Sequence, residues 1–430
     1  MHALAHSLLT TALRAADAGD AVRRANIAAD LAHDLADPST PLALLAIGKA
    51  SLAMARAAHE SLGPRITHFF ATTIPEHADD PFWQNLPASN IRSVLACDHP
   101  LPTTRNVYAA RRLALWVKAL PANAVLVVFL SGGASAHLCS PAEGLTLDDI
   151  THATRTLQHA GADIHELNCV RRHCETLKGG GLARLAAPRS TVTYILSDVI
   201  GDPLHDIASG PTVPDPTTRA DALAIAHKYQ LHAVARFLTA STDASMKADA
   251  ASTAAPLPHS RTRIIASNRL VARAVSDQIR SQGFTTVTEL LDVQSPVPDA
   301  AALLTSRAKN LSAPAAIILA GEWTVDTRGV AHAGTGGPSQ ELALSVAHSL
   351  KLSRPWTFLT LSTDGRDGPT DHTGAIVTHE TAALAHARNI NLAEALAHHN
   401  STSALAALEA LLTTGPTGTN LNHVAVLLIE

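Results

Sequence analysis

Aromatic residues are scarce in this chain, because Phe, Trp and Tyr together make up 3% of its 430 residues. Long apolar runs are also missing, and the longest uninterrupted one, Ala124 to Leu130, is far too short to span a bilayer. The formal charge of −4 is small, and no lysine-rich tail suggests a nucleic-acid surface. We therefore expect a soluble, cytoplasmic protein without a membrane or nucleic-acid partner, either a monomer or a homodimer.

Cysteine is also rare. The four cysteines include no C-x-x-C pair, which predicts buried free thiols in a reducing compartment. The 24 histidines are scattered and include no H-E-x-x-H motif, so we interpret them as surface or packing residues and not as metal ligands. The first segment, Met1 to Ala16, lacks the pattern of a signal peptide and predicts an amphipathic helix that belongs to the fold.

What the chain does contain is a regular alternation of short apolar strands with alanine-rich helices. A chain of this length usually forms two domains, and we place them at residues 1–250 and 251–430. The boundary lies in Ser241 to Ser260, which has little pattern and reads as a linker. The alternation predicts an α/β fold with parallel sheets in both halves. The strands expected from it include Leu42–Ile47, Ile66–Ile74, Arg92–Ala96, Ala124–Leu130, Arg263–Ala266, Ala315–Ala320, Thr324–Val330, Trp356–Leu361 and His423–Ile429.

The first strand runs into Gly48-Lys49, which invites comparison with a Walker A loop. The match fails, because Ala43 stands where the first glycine is required and Ala50 stands in place of Ser or Thr. Lys49 still follows the carboxyl end of an expected parallel strand, where ligands bind in open α/β sheets. On spacing alone, a ligand-binding lysine and an exposed turn lysine are equally compatible with this position.

The strand that ends at Leu130 opens into a Ser/Gly loop with Ser131, Gly132, Gly133 and Ser135. A strand, a loop of this kind and a following helix are typical of an anion-binding cradle. The loop is not G-x-G-x-x-G, so a nicotinamide site is not supported, and a plain strand-to-helix turn stays the alternative.

The stretch from Asn168 to Thr217 interleaves three kinds of group. Its cations include Arg171, Arg172 and Lys178, its glycines include Gly179 to Gly181 and Gly210, and its carboxylates include Asp198 and Asp202, with Thr212 near its end. Cations and free N–H groups bind phosphate oxygens, whereas carboxylates bind Mg²⁺. The mixture therefore suits a polyanion together with a metal ion. A surface helix, a glycine turn and a strand end would be the simpler interpretation.

The second half repeats this arrangement. Glu322 follows one expected strand, and another runs into a loop with the carboxylates Asp364, Asp367 and Asp371. Two glycines and a proline constrain that loop, which a merely solvated turn would not need. A final glycine-rich segment ends at Asn420.

Taken together, these motifs resemble the glycerate 2-kinase family of the MOFRL type, whose members are often labelled hydroxypyruvate reductases. The resemblance runs through nearly the whole chain. It is carried by Gly48-Lys49-Ala50, Asn168-Cys169-Val170-Arg171, Leu177-Lys178-Gly179-Gly180, Leu196-Ser197-Asp198-Val199, Ala208-Ser209-Gly210-Pro211-Thr212-Val213, Thr363-Asp364-Gly365, Asp367-Gly368-Pro369-Thr370-Asp371 and Gly415-Pro416-Thr417-Gly418-Thr419-Asn420.

The resemblance implies a Rossmann-like N-terminal domain with a parallel sheet, a smaller C-terminal α/β domain and a cleft between them. It implies transfer of the γ-phosphoryl group of ATP, with Mg²⁺, to the 2-hydroxyl of D-glycerate, and Lys49 matches the family lysine that interacts with phosphates. Two positions depart from the family pattern. Pro338 stands where many relatives have an arginine, which leaves Arg171, Arg172, Lys178 or Arg328 to supply that cation, and His423 stands where an acidic residue is common.

The predicted catalytic residues are Lys49, Asp198 and Arg171, and the predicted metal ligands are Asp198 and Asp364. The predicted substrate- and nucleotide-binding residues are Ser131, Gly132, Gly133, Ser135, Asn168, Lys178, Gly210, Thr212, Glu322, Asp364, Asp367 and Asn420. Two other functions stay open at this point: an NAD(P)H-dependent hydroxypyruvate reductase, and a non-catalytic protein that binds sugar acids or nucleotides.

Overall fold

The computed structural model describes residues 1–86, 91–240, 255–330 and 332–430. These residues form two compact units. The larger unit is Ala21–Ile265, and the smaller unit combines Met1–Asp20 with Ala266–Glu430. This division differs from the expected boundary at residues 250 and 251, because a strand beyond it joins the sheet of the larger unit and the first helix packs in the smaller one. Most of the expected linker, residues 241–254, lies outside the described residues.

Helices and strands alternate through the larger unit. Its strands are β1 (Leu42–Ile47), β2 (Ile66–Thr73), β3 (Ile91–Ala96), β4 (Val125–Leu130), β5 (Thr191–Ser197) and β6 (Ser260–Ser267), the last of which runs on into the smaller unit. Its helices are α2 (Ala18–Ala25, which begins in the smaller unit), α3 (Ile27–Asp30), α4 (Ser51–Leu62), α5 (Pro75–Ala78), α6 (Pro81–Gln84), α7 (Thr104–Ala119), α8 (Ala134–His137), α9 (Leu147–His159), α10 (Ile164–Cys174), α11 (Gly181–Ala186), α12 (Arg219–Lys228) and α13 (His232–Ala240).

The sheet of the larger unit has the strand order β3-β2-β1-β4-β5-β6, and the pairs from β3 to β5 are parallel. This is the order of a Rossmann fold, which confirms the predicted parallel sheet. The strand order reverses between β1 and β4, whose register pairs Ile47 with Leu130. In such sheets ligands bind outside the carboxyl ends of the strands at this switch point.

Both central strands are buried along their whole length, because helices cover both faces of the sheet. Leu45 and Leu126 pack with Leu113 and Val117 of α7 on one face. Burying one such side chain is worth about 1.5–3 kcal/mol, so the positions of the two strand ends are firmly fixed. The loops that follow these ends are therefore held on a rigid support.

The smaller unit begins with α1 (His2–Ala16), as expected from the sequence, and resumes after β6. Its strands are β7 (Thr286–Pro296), β8 (Ala315–Thr324), β9 (Trp356–Ser362), β10 (Gly374–Thr378), β11 (Leu411–Leu412) and β12 (His423–Ile429). Its remaining helices are α14 (Asn268–Ser281), α15 (Val297–Ala308), α16 (Pro338–Ser349), α17 (Thr381–Ala387), α18 (Leu392–Ala397) and α19 (Ser401–Ala407).

The prediction of a parallel sheet in this half was wrong. The order is β11-β10-β9-β12-β8-β7, and only the β7–β8 pair in this described sheet is parallel. The connection from β9 to β10 contains no helix, so the chain turns back antiparallel instead of crossing over. The last strand, β12, then inserts between β8 and β9 in the opposite direction to both.

The prediction of a separate strand from Thr324 to Val330 was also wrong. Strand β8 continues to Thr324, where its pairing with Pro296 of β7 ends. The chain then turns, because the Asp326 carboxylate accepts a hydrogen bond from the backbone N–H of Arg328 at 3.0 Å. The alternating polarity of this segment therefore reflects the end of one strand followed by a turn.

All four cysteines are buried and free, which confirms the prediction of unpaired thiols. Within the described ranges, no helix has both the length and the apolar character needed to cross a membrane.

Candidate functional site

The loops after β1 and β4 are tied together at the switch point. The backbone N–H of Lys49 donates to Gly132 O at 2.9 Å, and that of Ser131 donates to Ile47 O at 3.0 Å. The Ser131 hydroxyl accepts from Ala50 N at 3.1 Å and donates to Ile47 O at 3.2 Å. Ser131 therefore fixes the loops through bonds that already use its proton, and it holds the backbone of Lys49 in place.

Asp198 and Lys49 converge on Gly132. A Cβ atom on Gly132 would lie 2.5 Å from Asp198 Oδ2 and 3.6 Å from Lys49 Cε. A Cβ on Gly133, whose φ is +87°, would lie 3.3 Å from Lys49 Cγ and 3.1 Å from His99 Cδ2. The glycines therefore let one carboxylate, one ammonium and one imidazole approach the same loop.

His99 is a neighbour that the sequence interpretation missed. Its pKa is lowered to about 4, mainly by burial and in smaller part by the positive charges of Lys49 and Arg171. The pKa of His137 is likewise lowered to about 4, mainly by burial, with smaller contributions from His99 and Lys49. Both imidazoles are therefore neutral near pH 7, in a region whose charge favours anions. The only feature of the sequence that pointed to His99 was the rigid segment around His99 and Pro100, which follows β3.

Arg171 lies on α10, and its role as the cation that Pro338 does not supply stays a prediction. The other candidates are engaged elsewhere: Arg172 in a buried ion pair with Asp206, Lys178 in one with Glu175, and Arg328 with Asp326 at a position whose side chain is 91% exposed. Burial lowers the pKa of Arg171, and the negative charge of Glu175 opposes that shift.

Lys178 is buried, and its Nζ lies 2.5 Å from Glu175 Oε1. Burial lowers its pKa, and the same carboxylate works against that shift. The ammonium thus already has a partner, Glu175, at the C-terminal end of α10. The sequence did not identify Glu175 as that partner.

A chain of polar side chains links α10 to the Ser/Gly loop. Asn168 Nδ2 donates to Asp206 O at 3.1 Å, and Ser209 donates its hydroxyl proton to Asn168 Oδ1 at 2.8 Å. The Ser135 and Ser209 oxygens lie 3.0 Å apart. Because Ser209 has only one proton, Ser135 must be the donor in this contact, so its own oxygen can only accept from a further group.

The turn that carries Ser209 has three successive residues with positive φ: Ala208 at 53°, Ser209 at 60° and Gly210 at 60°. Such conformations are costly for residues other than glycine and persist only where their surroundings enforce them. Gly210 O accepts from Gly180 N at 2.7 Å, which is one such restraint. Thr212 is buried and accepts from Thr193 Oγ1 at 2.9 Å, which connects the segment after the turn to β5.

In the smaller unit, Asp364 follows β9. Its Oδ1 accepts from Ser362 Oγ at 2.8 Å and from Arg366 N at 3.0 Å, and its backbone oxygen accepts from Thr417 N at 3.0 Å. The last bond ties this loop to the terminal glycine-rich segment, in which the Asn420 side chain accepts from Asn422 N at 2.9 Å. The structure therefore brings these two predicted loops together.

Asp367 caps α16. Its carboxylate accepts from Ser339 N at 2.9 Å and from Gln340 N at 2.7 Å, and burial raises its pKa to about 6 although these bonds lower it. Pro338 stands at the first helical position, where its missing N–H costs nothing. Asp367 therefore has a structural partner, which the sequence did not reveal.

Two further positions differ from expectation. Glu322 is exposed and lies inside β8, not after its end. His423 opens β12 beside the Trp323 ring, with 4.9 Å between the ring centroids, and burial lowers its pKa to about 4. His423, which departs from the family pattern, is therefore a neutral residue that packs beside Trp323.

Comparison with known proteins agrees with this architecture. Residues 4–240 match the family described as a domain of unknown function, DUF4147, and residues 315–423 match the MOFRL family. The chain is 34% identical over 395 residues to the D-glycerate 2-kinase of Thermotoga maritima, covering 90% of each protein. It is 33% identical over 353 residues to the glycerate 2-kinase of Pyrococcus horikoshii, covering 78% of each.

The fold is also similar to that of a solved structure. The crystal structure of glycerate kinase from Thermotoga maritima superposes with a TM-score of 0.85 at 31% identity, covering 99% of each chain. Fold, motif order and sequence identity all point to one family. The chain therefore belongs to the glycerate 2-kinase family of the MOFRL type.

Proposed function

We propose that this protein transfers the γ-phosphoryl group of ATP to the 2-hydroxyl group of D-glycerate, giving 2-phosphoglycerate and ADP. The observation that carries the proposal is the convergence of Lys49, Asp198 and Gly132 at the switch point of a Rossmann sheet. The 34% identity to a D-glycerate 2-kinase over 90% of the chain supports it.

Phosphoryl transfer asks a protein mainly for positioning and for neutralisation of charge. In our proposal, the Lys49 ammonium binds the phosphate oxygens whose charge changes as the phosphoryl group moves. Arg171 adds a second positive charge in the same region. The neutral state of His99 follows mainly from its burial, and the positive charges of Lys49 and Arg171 also disfavour its protonation.

Asp198 is the candidate for orienting the reacting hydroxyl and accepting its proton. Its carboxylate lies against the Ser/Gly loop, beside the side chain of Lys49. The backbone N–H groups of that loop are candidates for the glycerate carboxylate. Ser135 would accept a hydrogen bond from a substrate hydroxyl, because its own proton is already donated to Ser209.

The side chains also fit Mg²⁺, which prefers carboxylate oxygens. We propose Asp198 as a ligand in the larger unit, where its carboxylate lies against Gly132 and near Lys49. Asp364 is the candidate in the smaller unit. A bound Mg²⁺ would neutralise charge on the transferring phosphate.

The remaining predicted residues differ in whether the fold already provides them with a partner. We propose that Lys178, Thr212, Gly210 and Asp367 act indirectly, because each already has a partner within the fold. Asn168 positions Ser209 in the same way. Glu322 and Asn420 stay candidates for contacts with ATP or glycerate. The buried free cysteines support the further proposal that the protein works in a reducing, cytoplasmic compartment.

Two assays run side by side test the proposal. A coupled assay should detect ADP release that requires D-glycerate, and an NADH-oxidation assay with hydroxypyruvate should show no turnover. NADH oxidation without ADP release would favour the reductase instead. Binding of glycerate without either reaction would favour a non-catalytic protein.

A further inference from the structure

Two histidines and one aspartate meet beside α10, and no role in the proposed reaction has been given to any of them. His165 lies in the first turn of α10, and His205 and Asp206 lie in the segment after β5. Nitrogen atoms of the two imidazoles and an oxygen of the carboxylate all lie within 4.8 Å of one another. His165 Nδ1 contacts Asp206 Oδ2, and His205 Nε2 lies 3.5 Å from the same oxygen.

The surrounding residues fix the direction of the carboxylate. Asp206 Oδ1 accepts from Arg172 Nη1 at 2.9 Å, and Arg172 Nε lies 2.8 Å from Asp215. The backbone oxygen of Asp206 accepts from Asn168 and from Ser209 N. Asp206 Oδ2 is therefore held toward the imidazoles by partners of the kind that orient the ligands in metal sites.

Charge balance at this group also favours a cation. The carboxylates of Asp206 and Asp215 share the buried guanidinium of Arg172. His173 contacts Asp215, but burial lowers the pKa of His173, which works against a positive charge there. A cation bound at Asp206 Oδ2 would compensate the second carboxylate.

The imidazoles are open to solvent while the carboxylate is not. The side chains of His165 and His205 are 62% and 36% exposed, whereas that of Asp206 is fully buried. With metal–ligand bonds of about 2.0–2.1 Å, ligand atoms in a tetrahedral site lie roughly 3.4 Å apart. The His205–Asp206 distance already matches this spacing, and the exposed ring of His165 has room to move outward.

We propose that His165, His205 and Asp206 form a binding site for one divalent transition metal ion such as Zn²⁺, with water in the fourth position. Two imidazoles and one carboxylate suit Zn²⁺, Co²⁺ or Ni²⁺, whereas Mg²⁺ requires oxygen ligands. The site would join the start of α10 to the turn that carries Ser209. The proposal revises the interpretation of all histidines as surface or packing residues, and it does not depend on the kinase proposal.

The test uses the full chain after removal of metal by a chelator. Zn²⁺ is titrated in competition with a chromophoric chelator, and Co²⁺ binding is followed by its visible absorption, in wild type and in the double variant His165→Ala/His205→Ala. The matched control is His159→Ala/His227→Ala, which removes two other exposed histidines of the same unit. This control is needed because the chain has 24 histidines, each able to bind metal weakly on its own.

We expect wild type and control to bind one equivalent of Zn²⁺, with tetrahedral Co²⁺ bands and a raised Tm. The His165→Ala/His205→Ala variant should bind about 100-fold more weakly or worse, and show no such bands. Millimolar Mg²⁺ should not displace Zn²⁺. Binding that is absent in wild type, equal in the double variant, or lost equally in the control would overturn the proposal. Because His165 is exposed and His205 is only partly buried, the variant should keep the circular dichroism of wild type and a metal-free Tm close to it.

Discussion

Replacing Gly132 with alanine tests the geometry of the proposed site most sharply. The φ of Gly132 is not in the left-handed region, so alanine is compatible with its backbone. The new Cβ would lie 2.5 Å from Asp198 Oδ2, roughly 1 Å closer than ordinary van der Waals contact allows. Since the loop is tied to β1 by Lys49 N, we expect the Asp198 carboxylate to be displaced.

A displacement of about 1 Å in a reacting group can cost about 100-fold in rate. Gly132→Ala should therefore lower kcat for ADP release with D-glycerate by about that factor, with a stability cost of about 1–3 kcal/mol from overpacking. Steady-state kinetics give kcat and KM, and circular dichroism with thermal unfolding verifies the fold.

The control is Gly63→Ala, where the added Cβ would meet its nearest atom, on His59, at an ordinary 3.4 Å. It should leave kcat unchanged. A second check combines Gly132→Ala with Asp198→Ala. If Gly132→Ala acts through Asp198, the double variant should be little slower than Asp198→Ala alone. A folded Gly132→Ala protein with wild-type kcat, or full additivity of the two changes, would refute the reasoning.

Three other predictions concern charge. Lys49→Ala should lower kcat by about 10²–10³ with a smaller change in KM, whereas Lys118→Ala, on the exposed end of α7, should have no effect. Lys49→Arg should restore activity only in part. A kcat near that of wild type in Lys49→Ala would remove this lysine from the mechanism. Exhaustive EDTA treatment should abolish turnover and added Mg²⁺ should restore it, so undiminished turnover would argue against a metal requirement. Because the pKa of Asp367 is raised to about 6 in the folded protein, its contribution to stability is fully present below the ordinary carboxyl pKa and is lost as pH rises through about 6. The stability advantage of wild type over Asp367→Asn, measured by urea unfolding, should therefore shrink from about pH 4 to about pH 7, and a constant difference would contradict the raised pKa.

The sequence predicted the strands whose patterning comes from burial on both faces. Leu42–Ile47 and His423–Ile429 are apolar over most of their length, and their bounds match β1 and β12. Strand direction in the smaller unit could not be predicted, because apolar runs look alike in parallel and antiparallel sheets. The insertion of β12 between β8 and β9 is set by contacts that are remote in sequence.

The candidate site could also be predicted only in part from the sequence. Lys49, Ser131 to Gly133 and Asp198 could be found from the sequence, because each follows a strand end and such ends meet at one edge of a sheet. The roles of Lys178 and Asp367 could not, because Glu175 and the start of α16 engage them only through the tertiary fold. His99 was missed because the loop after β3 contains no glycine, and its single carboxylate, Asp98, did not mark it as a binding loop.

The measurement that most directly tests the central claim is ³¹P and ¹H NMR of the product formed from ATP and D-glycerate. We predict a 2-phosphoglycerate signal that grows with ADP in the wild-type reaction and is nearly absent with Lys49→Ala at equal protein concentration. A 3-phosphoglycerate signal, or unchanged ATP and D-glycerate in the presence of folded wild-type protein and Mg²⁺, would contradict the account.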